Sequence, residues 1–233
     1  MDLRAIFFDF GNTLAREVPT RFEIYAEAAR RRGCDVDERA MAQLMGAAHE
    51  ALPLRVDGGF RYSDAWFGAF IERIFGGALG LPAADVAEVR RELFRRFEDA
   101  STFEVFAGAR ELLRDLRDAG LTLGLVSNWS ARLPRLLAAL ELERSFDFVL
   151  CSAIEEVEKP DPAIFERALE RAGHAAETCL HVGDQPENDG AAAKVGIDVL
   201  FVDHENVLEH AGHARVLSLP AVGTHVLGAR FDR

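Results

Sequence analysis

Between residues 121 and 202 short apolar runs alternate with helical stretches, and that alternation limits the possible folds more than any other feature of the chain. Residues 121–126, 146–151, 178–182 and 197–202 read as strands. Between them Ser130 caps a helix to about Leu142, Asp161-Pro162 opens another that Gly173 closes, and residues 189–195 are helical with Gly196 after them. A helix over residues 107–119, stopped by Gly120, precedes the series, and residues 216–219 offer an edge strand after it. Strand–helix alternation at this spacing predicts a parallel sheet covered on both faces. Residues 5–8, far upstream, form a run of the kind buried on both faces, and it stops at Asp9.

Between Leu14 and residue 121 strand signals vanish. Thr20-Arg21-Phe22-Glu23 has capping-box spacing, with helix expected to about Arg32 and a stop at Gly33. Residues 37–52 read as a second helix and residues 53–62 as a loop. Ser63 caps a third helix through Phe75, which Gly76-Gly77 and Gly80 break. Pro82 fits the first turn of a fourth, running to about Asp99. The expected division is therefore an α/β core from residues 1–15 and 102–233, with an all-helical insertion over 16–101. Trp66, Phe67, Phe70 and Phe75 recur at helical spacing and belong in the core of that insertion. Arg55, Arg61 and Tyr62 flank its Gly58-Gly59 loop and are candidates for reaching a substrate.

Composition narrows the function classes. A chain of 233 residues holds one sizeable core plus a smaller domain, and 49% apolar with 28% charged residues is globular material. A formal net charge of −12 argues against a nucleic-acid groove or an anionic membrane surface, while leaving room for a local basic pocket. Cys34, Cys151 and Cys179 have no metal-like spacing and read as reduced core residues. No segment resembles a signal peptide or a bilayer span. The expectation is a cytoplasmic monomer or homodimer acting on a small molecule, with neither nucleic acid nor membrane as partner.

Parallel strands bring their carboxyl ends to one edge, where ligands of open α/β sheets bind. That edge should gather Asp9, Ser127, Lys159 and Asp184. Paired carboxylates suit a hard cation such as Mg²⁺. Asp189 is a further ligand, an orienter of one, or a helix N-cap. A carboxylate nucleophile, a cation and a lysine are the parts that phosphoryl transfer requires. Ser127 and the Asn128 N–H would donate to phosphate oxygens. Asp9 alone also fits a loop-starting residue, Ser127-Asn128 a helix cap, and Lys159, beside Glu155, Glu156 and Glu158, a solvated loop lysine.

Asp9-Phe10-Gly11-Asn12-Thr13-Leu14, Ser127-Asn128, Lys159-Pro160 and Gly183-Asp184-Gln185-Pro186-Glu187-Asn188-Asp189 resemble, in order and spacing, the four motifs of the haloacid dehalogenase superfamily. The insertion resembles the alpha-helical cap of its subfamily I. The resemblance implies a Rossmann-like three-layer α/β core, with Asp9 as nucleophile and Lys159 as its catalytic partner. It implies Mg²⁺ on Asp9, Gly11, Asp184 and Asp189, and phosphate against Phe10, Gly11, Ser127, Asn128 and Lys159. Most members resembling this pattern are phosphatases of small metabolites working through an aspartyl-phosphate. Those phosphatases usually carry an acid–base Asp two residues after the nucleophile, where this chain has Gly11. Loss of such help is worth about 10²- to 10⁴-fold in rate. Two alternatives stand beside the phosphatase. One is a 2-haloacid dehalogenase, which needs no acid and in this family usually has an aromatic residue at the Gly11 position. The other is a non-catalytic binding protein that retains the fold.

Overall fold

The structure, a computed structural model, describes residues 2–208 and 212–231. The apolar run expected near the N-terminus is strand β1 (Ala5–Phe8), followed by a short β2 (Ala15–Glu17). The inserted block contains α1 (Arg21–Arg30), α2 (Glu38–Ala51), the hairpin strands β3 (Arg55–Val56) and β4 (Gly59–Phe60), α3 (Asp64–Ile71) and α4 (Ala83–Arg96). β5 (Phe103–Val105) and α5 (Ala109–Asp118) return the chain to the main sheet. There follow β6 (Thr122–Ser127), α6 (Leu133–Ala139), β7 (Phe148–Cys151), α7 (Ser152–Glu155) and α8 (Ala163–Ala172). The described chain closes with β8 (Cys179–Gly183), α9 (Pro186–Asp189), β9 (Asp198–Val202), β10 (Ala214–Val216) and α10 (Leu219–Phe231).

Among the described residues the main sheet has six parallel strands in the order β10-β9-β8-β1-β6-β7. Alternation along β1 feeds two cores: Ile6 and Phe8 join one apolar cluster, Ala5 and Phe7 the opposite one. Helices α5, α6 and α10 cover the first face and α8 the second. β1 thus lies in the interior of a doubly covered, Rossmann-like α/β sheet, and its carboxyl end is held on both sides.

The inserted helices have an apolar cluster of their own, from Ile24 to Leu93, in which Trp66, Phe70 and Phe75 are buried. Thr20, Asp37 and Ser63 each accept a backbone N–H at the start of α1, α2 and α3.

The insertion differs from an all-helical block in three places. Asp57 and Gly58, both at positive φ, turn the expected loop into the β3–β4 hairpin. Gly76-Gly77 does not end the third helix: residues Glu72–Ala78 continue it as a π-helical turn, with the Leu79 N–H donating to the Ile74 carbonyl at 2.9 Å. β2 pairs antiparallel with β5, so a two-stranded ribbon crosses the first expected boundary of the insertion and begins just after the second. After residue 202 the edge strand lies slightly earlier than expected, and α10, absent from the sequence expectations, starts after Ser218, whose hydroxyl accepts from the Ala221 N–H at 3.4 Å, and packs on α5.

Candidate active site

The loop after β1 is tied to its neighbour by the Asp9 N–H, which donates to the Val182 carbonyl at 2.9 Å. Asp9 therefore sits at the edge where β6 ends in Ser127 and β8 in Gly183. Lys159 reaches the same point from the loop beyond α7. Its Nζ donates to Asp9 Oδ1 at 2.8 Å and to Asp189 Oδ1 at 2.5 Å, with all three side chains buried. Burial alone would lower the lysine pKa, but Asp189 and Asp9 hold it above its ordinary value, so the ammonium stays charged. Burial alone would raise the Asp189 carboxyl; Lys159 and the His181 ring instead hold it well below the usual carboxylate range.

Two supports of this triad lie outside the sequence expectations. The Asn128 side chain clamps Lys159 in both directions, accepting from its N–H and donating to its carbonyl, each at 2.8 Å. His181, fully buried in β8, places Nε2 at 2.8 Å from Asp189 Oδ1. The second carboxylate oxygen of Asp189 accepts from the Gln185 N–H at 2.9 Å, so Asp189 folds back into the site rather than capping the turn after it. A Cβ on Gly183 would lie 2.2 Å from the Asp189 carboxyl carbon, which explains a glycine at the end of β8.

Asp184 completes the group, its carboxylate accepting from the Thr13 hydroxyl at 3.3 Å. Ligand atoms of Asp9, Asp184 and Asp189 lie within 4.8 Å of one another. One lysine does not balance three carboxylates. Burial, then the charges of Asp9 and Asp189, push the Asp184 carboxyl up to about 8. An oxygen-only donor set with excess negative charge fits a hard divalent cation, and Asp9 and Asp184 are the members free of a second clamp. Among the described residues, no protein acceptor stands against the N–H groups of Phe10, Gly11 or Asn128, which leaves them free for an anion.

Gly11 is enclosed from the side. A Cβ there would meet the Trp129 ring at 3.0 Å and the Arg21 guanidinium at 3.8 Å. Trp129 is fixed edge-on to Phe10, with ring centroids 5.1 Å apart, and its backbone N–H donates to the Ser152 hydroxyl. Arg21 comes from the first turn of α1 and lies 5.9 Å from the Trp129 ring centre.

The hairpin residues named from the sequence meet the loop that carries Lys159. Arg61 pairs with Glu158 and Arg55 with Glu156, both at 2.7 Å, and Tyr62 lies 3.3 Å from His49. A groove of about 560 Å³ between α3 and α4, lined by Asp64, Glu72 and Arg90 among others, contains none of these site residues.

Residues 3–196 match the family model of haloacid dehalogenase-like hydrolases. Haloacid dehalogenase-like hydrolase domain-containing protein 3 of Bos taurus is 33% identical over 217 residues, covering 91% of this chain and 86% of the relative. The phosphoserine phosphatase of Thermus thermophilus is 30% identical over 222 residues, covering 86% of this chain and 89% of that enzyme. Among solved structures, a HAD phosphatase from Thermococcus onnurineus shares the fold with a TM-score of 0.68 at 22% identity, over 97% of this chain and 98% of that one.

Proposed function

The chain belongs to the haloacid dehalogenase-like hydrolases, and we propose that within this family it is a Mg²⁺-dependent phosphatase acting on a small phosphorylated metabolite. The observation that carries the reading is the buried Lys159 bridging Asp9 and Asp189, with Asp184 beside them. The similarity to a phosphoserine phosphatase supports it.

Lys159 occupies Oδ1 of Asp9, leaving Oδ2 to attack phosphorus. Lys159, Ser127 and the N–H groups of Phe10, Gly11 and Asn128 bind the phosphoryl oxygens as charge redistributes. Asp9 and Asp184, with the Gly11 carbonyl, would hold Mg²⁺, which supplies a fixed positive charge for those oxygens; Asp189 serves by positioning Lys159. The inserted residues 16–101 act as a cap that excludes water, hinged at the β2–β5 ribbon and closed by the Arg61–Glu158 and Arg55–Glu156 pairs. Gly11 offers no proton, so substrates whose leaving group departs unprotonated are favoured. A panel of aryl, acyl and alkyl phosphates, assayed with Mg²⁺ and with chelator, tests this. Metal-dependent release of phosphate, fastest from the activated esters, is expected; no release from any ester overturns it.

One observation favours a second reading, hydrolysis of 2-haloacids. The Trp129 ring fills the space beside Gly11, where dehalogenases of the family usually carry an aromatic side chain of their own. Halide release from a 2-haloacid decides for it.

A further inference from the structure

Glu17 and Arg21 hold neither the cation nor the phosphoryl group, yet Arg21 stands beside Gly11. Glu17 ends β2 with its carboxylate buried, an expensive arrangement for a charge unless it holds a partner in place. Both its oxygens lie on Arg21 Nη2, at 2.9 and 3.2 Å. Among the described residues no other carboxylate pairs with Arg21, so Nη1 and Nε remain available while the guanidinium rests against Trp129. Nη2 lies 3.8 Å from where a side chain on Gly11 would begin. A positive charge therefore stands where the loop after Asp9 has no side chain.

We propose that Arg21, held by Glu17 and Trp129, is a specificity-determining residue that pairs with the leaving-group oxygen as it takes on negative charge. The inference rests on the phosphatase reading and deepens it. Asp9 Oδ2 forms a bond to phosphorus while the bond from phosphorus to the leaving oxygen breaks. The electron pair stays on that oxygen, which departs as an anion against Arg21, and no proton moves. Water then attacks phosphorus, the Asp9 carboxylate is released, and both water protons leave on dihydrogen phosphate. The substrates such a site selects are mixed carboxylic–phosphoric anhydrides and aryl or enol phosphates.

The test is kcat/KM for a series of substituted phenyl phosphates, plotted logarithmically against leaving-group pKa, for the parent, Arg21→Gln and Arg21→Lys. Arg21→Gln should steepen the line, losing on the order of 10²-fold on the poorest leaving group and little on the best, and Arg21→Lys should recover part of the loss. A line parallel to that of an active parent, whether lowered or unchanged, overturns the role of Arg21 and leaves the phosphatase reading standing. A parent inactive on every ester removes that reading and this inference with it.

Discussion

The ring of Trp129 stands 3.0 Å from the point where a side-chain carbon on Gly11 would begin. The missing acid is thus more than a deletion, because its space has a tenant whose ring packs on Phe10 and whose backbone is held by Ser152. Gly11→Asp should fold only with a displaced Trp129, at a cost of about 1–3 kcal/mol for overpacking. Urea unfolding and tryptophan emission would read the cost and the displacement. Paired with Trp129→Ser, the same substitution should fit and flatten the dependence of rate on leaving-group pKa. A double variant as steep as the parent would show that the acid is supplied elsewhere.

The cation site makes a separate prediction. Asp184→Asn removes one of the two carboxylates available to Mg²⁺ and should weaken binding strongly in a calorimetric titration. Asp189→Asn should weaken it less, since Lys159, His181 and Gln185 occupy its carboxylate. Unchanged affinity in Asp184→Asn would remove that residue from the site.

Lys159 should also matter to the fold. Lys159→Met leaves Asp9 and Asp189 buried without their counter-charge, and breaking a buried pair this way costs about 3–5 kcal/mol. Urea denaturation in chelator measures it. Asn128→Ala, which frees the Lys159 backbone at both hydrogen bonds, should cost about 1–3 kcal/mol and lower kcat more than it raises KM.

The two tyrosines predict an alkaline limit. Burial, then Glu158, push the Tyr62 phenol up to about 12 against the opposing charges of Arg61, Arg21 and Lys159, and burial raises Tyr25 further. Because the folded values lie above the unfolded one, this stabilisation is complete below about pH 10 and is lost as pH rises through the folded values. Ultraviolet titration should show no tyrosinate near pH 10 until the protein is unfolded by denaturant. A normal tyrosinate transition in the folded protein would contradict the enclosure of Tyr62.

Much of this was legible in the sequence because it follows from local pattern. The β1 run, the alternation after residue 121 and the caps Thr20, Asp37 and Ser63 depend on neighbours a few positions away. So did the gathering of Asp9, Ser127 and Asp184, since parallel strands share an edge, with Lys159 reaching the same point from the loop beyond α7. What stayed hidden depends on contacts between distant segments. Trp129 on Gly11, Asn128 around Lys159 and His181 on Asp189 have no periodicity to announce them. The π-helical turn at Glu72–Ala78 was masked because glycines usually end helices, and the β3–β4 hairpin because its strands are only two residues long.

The central claim, that Asp9 attacks phosphorus, is tested most directly by turnover in heavy-oxygen water followed by mass spectrometry of both the product and the Asp9 peptide. An aspartyl-phosphate is opened by water at phosphorus, so the label should enter inorganic phosphate and never Asp9, and Asp9→Asn should yield neither product nor label. Label accumulating in the Asp9 carboxylate while a 2-haloacid releases halide, with no phosphate formed from any ester, would contradict the account.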